Sequence, residues 1–262
     1  MKRIVHKKIK KIKEKSYQFL FNKKWIYRLC YIIPIRFFRH KIWNSIVPFI
    51  DNFVYRIDKK GKVKRLSFFS KISGLKIRLS GTDNKIYVHM PFRFEDCEIE
   101  MCGTNNVIII EPPSELTAVG IAGLKIRMRQ NRRRRLLHIK KGFSIRSGTF
   151  IVAGHNRKII IGKDCLFSAN INLRTNDAHH IYDAKTDILL NAEQDIIIGD
   201  KVWCGQKITI LKGSIVPPNS VIGTGSIYTH SSEKNPDMEQ IDGNIYAGIP
   251  ARCVKKHIYW KG

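Results

Sequence analysis

The sequence predicts an all-β chain wound as a prism of stacked coils, on three observations. Pairs of inward residues spaced i, i+2 return every six positions in one register: Ile196/Ile198, Val202/Cys204, Ile208/Ile210, Ser214/Val216 and Ser220/Ile222. The same spacing recurs upstream in Leu137/Ile139, Phe143/Ile145 and Thr149/Ile151 and, after a slip of two residues, in Ile159/Ile161, Cys165/Phe167 and Ile171/Leu173. No long helical period appears between Leu75 and Tyr228. A strand period of two, repeated at every sixth residue, means short flat strands joined by tight corners, each coil stacking on the last at about 4.8 Å. A sandwich or meander would vary in strand length and would not turn on a fixed count.

Along the chain, residues 1–50 read as a basic amphipathic and aromatic helical extension. Val5, Ile9 and Ile12 keep helical spacing among Lys7, Lys8, Lys10, Lys11, Lys13 and Lys15, and Pro34 and Pro48 punctuate the later part of the extension. Residues 51–136 read as an irregular β region leading into the coils, with strands at Leu75-x-Ile77-x-Leu79, Ile86-x-Val88, Val107 to Ile110 and Leu124-x-Ile126-x-Met128. Residues 137–228 carry the hexads, with Gly162, Gly199, Gly205 and Gly223 at the bends, where glycine tolerates the backbone angles. The register breaks between Leu173 and Ile196, so residues 174–195 form a loop thrown out of the winding. Repeat architectures accept such insertions on one face, often the binding face. Residues 229–262 read as a C-terminal loop and tail.

The 262 residues hold 48 Lys and Arg against 21 Asp and Glu, a formal charge of +27, with 43% hydrophobic content. That content excludes disorder of the whole chain, and that charge calls for anionic partners. It is uneven, because residues 1–65 hold 20 of the cations and three acids, Glu14, Asp51 and Asp58. Six cysteines form no C-x-x-C pair, and no apolar stretch at the N-terminus ends in a small-residue cleavage site. Both features fit a reduced, cytoplasmic compartment. The apolar run Trp25–Phe38 is interrupted by Arg28, Pro34 and Arg36 and is too short to span a bilayer. Residues 1–45 fit two readings equally: peripheral contact with the anionic inner leaflet of the cytoplasmic membrane, or a helical appendage packed on the coils.

The stretch from Ile196 to Lys256 carries I-I-I-G-D-K-V-W-C-G, I-L-K-G, S-V-I-G-T-G-S and, after a short insertion, Y-A-G-I-P-A-R. In these segments the chain resembles the hexapeptide-repeat acyltransferases, whose fold is a left-handed parallel β-helix. Cys204 stands where that family usually has Ile, and Ile249 where Asn commonly precedes the late proline. The resemblance covers residues 137–258 well and says little about residues 1–74. Within the family, N-D-A-H-H-I-Y-D (Asn176 to Asp183) is similar to the S-D-x-H-x-I-x-D pattern of capsular polysaccharide and sialic acid O-acetyltransferases.

That alignment implies His179 as a general base, with His180 the fallback if the register moves by one. Acyl transfer from a thioester to an alcohol needs a base of near-neutral pKa within reach of the acceptor hydroxyl, and imidazole suits that role. Asp177 and, less favoured, Asp183 are candidates for orienting the ring. Trp203, between the inward Val202 and Cys204, points outward; the resemblance places it beside the base and the acyl donor, in a homotrimer with sites between neighbouring prisms. The implied donor is acetyl-CoA. Gly205, Gly223, Thr224 and Ser226 match the segment along its pantetheine arm, and Ala247, Gly248, Pro250 and Ala251 the segment near its adenine. Arg252, Lys255 and Lys256 come next as partners for its phosphates. An oxyanion donor is expected near Gly205. Vicinal histidines are poorly placed to chelate one ion and no Cys or His recurs at zinc spacing, so no metal is expected.

The run Arg132, Arg133, Arg134 and Arg135 reads as an exposed surface receiving an acidic glycan acceptor, since a row of carboxylates needs distributed cations. The expected activity is O-acetylation of a bacterial surface polysaccharide, capsular and sialic acid-containing in the reading preferred, by direct transfer from acetyl-CoA. The runner-up is an acetyltransferase for a small acceptor such as an amino sugar, sugar nucleotide or serine. The non-enzyme alternative is a polyanion- or nucleic-acid-binding protein. Against nucleic acid as a partner, the chain lacks helix-turn-helix, zinc and RNA-recognition motifs, and its arginine run lacks interleaved aromatics for base stacking.

Overall fold

The structure is a computed structural model that describes residues 52–66, 72–90, 92–114 and 120–261; the helical extension expected over residues 1–50 lies outside the described residues. Three sheets form the faces of a prism. The first stacks Ile215–Val216, Ile196–Ile198, Lys158–Ile161, Leu136–Ile139, Val107–Ile110, Lys85–His89, Phe53–Ile57 and Val63–Arg65. The second stacks Ala251–Ile258, Gly243–Gly248, Val221–Ile222, Trp203–Cys204, Leu166–Phe167, Ser144–Ile145, Ile121–Ala122 and Phe94–Glu95. The third stacks Ile227–Tyr228, Thr209–Leu211, Ile171–Arg174, Gly148–Ile151, Leu124–Met128, Cys97–Met101 and Leu75–Leu79. The chain visits the first, second and third faces in turn, and each strand pairs in parallel with its equivalent in the next coil. Antiparallel pairs occur at the two ends, where Phe53–Ile57 pairs with Val63–Arg65 and Gly243–Gly248 with Ala251–Ile258.

The hexad pairs point where their spacing requires. Ile196, Val202, Cys204, Ile208, Ile210, Ser214, Val216, Ser220 and Ile222 are fully buried inside the prism. One pair departs from the expected register: Thr149 and Ile151 face outward, and Phe150 and Val152 are the buried residues. The cause is a shorter corner. Ile145 lies opposite Phe167 and Gly148 opposite Ile171, so two residues turn a corner that takes three in the next coil. A one-residue change in a strand exchanges its two faces. The exchange brings Phe150 into the core against Phe143 and Phe167, edge to face at 6.3 and 6.4 Å.

The glycines at the bends serve close approach rather than backbone angle. Gly199 and Gly205 have no positive φ; a Cβ on Gly199 would lie 2.5 Å from the Pro218 nitrogen, and one on Gly205 2.7 Å from Thr224 Oγ1 in the next coil. Left-handed angles in these coils fall instead on Asp164, Lys201 and Asn219, at φ 53°, 54° and 59°. Asn and Asp tolerate that region better than other side chains; nothing in the structure explains lysine there.

Parallel coils of uneven length begin upstream of the expected boundary at residue 137. Phe53–Ile57 already pairs in parallel with Lys85–His89, and that strand with Val107–Ile110. These coils are longer, with 22 residues from Ile86 to its partner Ile108 against 18 from Ile197 to Ile215, so a six-residue search misses them. Their third-to-first corner is held by a buried amide ladder. Asn84 Nδ2 donates to Asn52 Oδ1 at 2.8 Å, and Asn106 Nδ2 to Asn84 Oδ1 at 2.8 Å. Arg135 continues the ladder, its Nε donating to Asn106 Oδ1 at 3.0 Å.

That placement corrects the reading of the arginine run. Arg135 is 1% exposed, and its guanidinium donates to the carbonyls of Arg129 (2.7 Å), Val152 (3.2 Å) and Cys102 inside the corner. Burial lowers its pKa to about 10. It holds three coils together and is closed to an acceptor. Arg133 and Arg134 are exposed and Arg132 is partly so.

The C-terminal segment is more ordered than a loop and tail. Its hairpin joins the second sheet, and the chain beyond it folds back until the Trp260 indole donates to the Lys201 carbonyl at 3.0 Å. Among the described residues no helix is long and apolar enough to cross a membrane, and no group of His, Cys, Asp and Glu is arranged to hold a metal ion.

Candidate active site

The loop of residues 174–195 leaves the prism at the third-to-first corner, between the strands Ile171–Arg174 and Ile196–Ile198. It has its own hairpin-like closure, with Tyr182 bridged to Leu189, the Leu190 amide donating to Ile181 O at 2.8 Å and the Asp183 amide to Ile188 O at 2.9 Å. Its base is clamped by Asn191. The Asn191 amide group donates to His179 O at 2.8 Å and to Asp177 Oδ2 at 3.1 Å, and Asn191 Oδ1 accepts from the Ile181 amide at 2.6 Å. Lys212, in the I-L-K-G segment of the next coil, donates to Asp177 and, at 2.7 Å, to the Asn191 carbonyl. Ala178 is held at φ 71°, a left-handed angle that costs a residue with a Cβ about 1 kcal/mol or more. Strain of this kind, next to His179, marks a loop whose shape is dictated by its anchors.

Asp177 therefore anchors the loop instead of orienting the ring. Burial raises its pKa, but hydrogen bonds from Lys212 and Asn191 outweigh that and hold it below the usual carboxylate value. Among the described residues neither imidazole is hydrogen-bonded to it. Asp183 caps the loop's own turn, accepting from the amides of Lys185 and Thr186 at 3.0 and 2.9 Å, and is also not a partner of either ring. The two histidines differ. His180 Nδ1 lies 3.4 Å from the Tyr182 hydroxyl, whereas the His179 ring has no hydrogen bond among the described residues.

A cavity of about 270 Å³ lies beneath the loop, lined by Asn176, Asp177, Ala178, His179, His180, Asn191 and Glu193 and, from two coils away, by Gln130 and Arg132. Arg132 reaches it because residues 129–135 turn the same corner from which the loop projects. The fold thus brings the histidine loop and the start of the arginine run to one site. Sequence reasoning missed Lys212 and Asn191. Both contribute through contacts to residues distant along the chain, and the only signal was that Lys212 interrupts the apolar pattern just before a corner.

Trp203 is not part of this cavity. It points outward as expected, 43% exposed, but on the second sheet, across the triangular section from the corner that bears the loop. Its ring lies 6.2 Å from that of Trp260, which the sequence reading did not single out. The donor-side residues divide by accessibility. Thr224, Gly248, Pro250, Arg252, Lys255 and Lys256 are exposed, and Gly223 and Ala247 are half-buried. Ser226, Gly205 and Ala251 are buried. The Ser226 hydroxyl faces the interior and accepts the Gly248 amide at 3.1 Å, which corrects its expected role. The Gly205 amide donates to Ile222 O at 2.9 Å, so it is not the oxyanion donor expected nearby. Exposed cations on Ala251–Ile258, next to an open glycine turn, fit the polyphosphate of a coenzyme A donor.

No family model matches the chain. It is 29% identical over 148 residues to a polysialic acid O-acetyltransferase of Neisseria meningitidis, covering 56% of this chain and 65% of that protein. It is 31% identical over 111 residues to a polysialic acid O-acetyltransferase of Escherichia coli O1:K1 / APEC, covering 42% and 34%. The chain thus spans less than two thirds of the length of these two curated relatives. A crystallographically analysed polysialic acid O-acetyltransferase matches with 26% identity and a TM-score of 0.55, over 72% of this chain and 87% of that one. The chain is thus similar to proteins named as O-acetyltransferases, and its fold class is the left-handed parallel β-helix.

Proposed function

We propose that the chain transfers an acetyl group from acetyl-CoA to a hydroxyl of polysialic acid, with His179 as general base. The observation that carries the reading is the cavity itself, an open cleft whose wall holds both an imidazole without other partners, on an anchored loop, and an arginine. The likeness to polysialic acid O-acetyltransferases supplies the reaction class.

In this mechanism the acceptor hydroxyl enters the cavity and His179 takes its proton as the oxygen attacks the donor carbonyl, a role worth roughly 10² to 10⁴ in rate. Acetyl-CoA supplies the acetyl thioester, and the thiolate of coenzyme A leaves. No covalent intermediate on the protein is required. Arg252, Lys255 and Lys256 hold the donor phosphates, while Thr224 faces its arm and the turn at Gly248 lies near its adenine.

Because Trp203 and His179 lie on different sides of one prism, a site that uses both is completed by a second copy, as in a homotrimer with donor grooves between neighbours. The loop presents Ile188 and Leu190, each 61% exposed, for such a contact. An exposed apolar cluster of this kind asks for a cover.

The test is mass spectrometry of oligosialic acid after incubation with the protein and acetyl-CoA. Mass increments of one acetyl group per modified residue support the reading. Acetylation of only a neutral sugar, an amino sugar or serine contradicts it.

A further inference from the structure

Resting on that reading, we infer that Arg132 is the residue that reads the carboxylate of the very sugar being acetylated, and that the remainder of the arginine run does separate work. The run divides into three. Arg135 is consumed by the corner ladder. Arg133 and Arg134 are exposed outside the cavity, and neither has an ion pair among the described residues. Arg132 alone of the four lines the cavity that holds His179.

Three features suit Arg132 to a carboxylate. Its guanidinium is positioned by its neighbours: Nη1 lies 3.1 Å from His155 Nε2, and Nε lies 3.5 Å from Gln130 Oε1. Nη2 has no partner among the described residues. Arg127 pairs with Glu98 at 2.8 Å and Arg129 with Glu100 at 2.9 Å, and Arg133 and Arg134 lie outside the cavity, so Arg132 is the guanidinium that meets an anion within it. The carboxylate most able to repel an acidic sugar, Asp177, is already paired with Lys212. Glu193 remains on the cavity wall and biases the anion toward the Arg132 side.

Size sets the scope of the recognition. A space of about 270 Å³ lies near the lower end of ligand pockets, so it admits one sugar residue and leaves the rest of a polymer outside. Arginine donates to a carboxylate through a planar fork, whereas a lysine would act as a point charge. Recognition is therefore local to the reacting unit, and long-range attraction of the chain falls to Arg133 and Arg134.

The experiment compares kcat/KM for oligosialic acid and for the same oligosaccharide with its carboxylates converted to neutral methyl esters. The wild type is expected to favour the free carboxylate by roughly 10- to 100-fold, the range for a hydrogen bond to a charged group. Arg132→Gln is expected to lose that preference by falling on the acid and not on the ester, and Arg132→Lys to lie between. Arg133→Gln with Arg134→Gln is expected to keep the preference and lose affinity for long chains in a salt-dependent way. An Arg132→Gln protein that acetylates both forms with the wild-type preference overturns the inference alone. A wild type that acetylates neither form overturns the proposed function and the inference together.

Discussion

Asn191 Nδ2 donates to the carbonyl oxygen of His179 at 2.8 Å, a hydrogen bond that spans twelve residues and closes the neck of the loop. The same side chain accepts the Ile181 amide and donates to the Asp177 carboxylate, so it holds the backbone just after His179 and the side chain two residues before it. Asn191→Ala is expected to lower kcat by roughly 10- to 100-fold through misplacement of the base, since a shift of about 1 Å can cost that much. The loop is exposed, so the melting temperature of the protein moves little. Steady-state kinetics beside a thermal melt separates the two effects, and unchanged kcat would remove Asn191 from the account.

Lys212 holds Asp177, and the consequence is a pH dependence of known sign. The carboxyl pKa is depressed in the folded protein, so the anchoring is fully present above the ordinary aspartate value of about 3.9 and is lost as pH falls through the lower folded value. Lys212→Met removes the largest opposing contribution and leaves burial, which raises the pKa. A carboxyl-carbon titration by NMR is expected to show the Asp177 midpoint move upward in the variant. A midpoint that stays where it was contradicts the pairing.

Arg135 and Arg134 are neighbours with opposite fates. Arg135→Met leaves Asn106 Oδ1 with only the residue 135 backbone amide and takes the guanidinium donor from the Arg129 and Val152 carbonyls of a closed corner, and is expected to cost at least about 3 kcal/mol. Arg134→Ala, on the exposed side, is expected to stay within about 0.5 kcal/mol of the wild type. Urea denaturation of the two variants checks the contrast, and equal stabilities would contradict the buried ladder.

The winding was legible from Ile196 onward because five pairs keep one register without insertion. It was misread at Thr149/Ile151, where a corner one residue shorter exchanges inside for outside, and upstream of residue 137 it is hidden by coils of uneven length, 22 residues from Ile86 to Ile108 and 29 from Ile108 to Leu137. The loop that carries His179 was legible because it interrupts a strict period, while the choice of His179 over His180 rests on the resemblance to the S-D-x-H-x-I-x-D pattern. Asn191 and Lys212 were not, since their roles depend on contacts between separate coils. Nor was the split in the arginine run: four adjacent cations look alike in sequence, and only a corner with a line of buried amides distinguishes Arg135 from Arg132. Glycine at the bends was expected correctly in place and wrongly in cause, because chain crowding between coils leaves no trace in composition.

The central claim is that the His179 imidazole removes the proton from the acceptor. It is tested most directly by measuring acetyl transfer from acetyl-CoA to oligosialic acid by His179→Ala and, in parallel, by His180→Ala. The account predicts that His179→Ala loses roughly 10²- to 10⁴-fold in kcat with its melting temperature intact, while His180→Ala retains most of its turnover. Full turnover by His179→Ala, or the larger loss falling on His180→Ala, would contradict it.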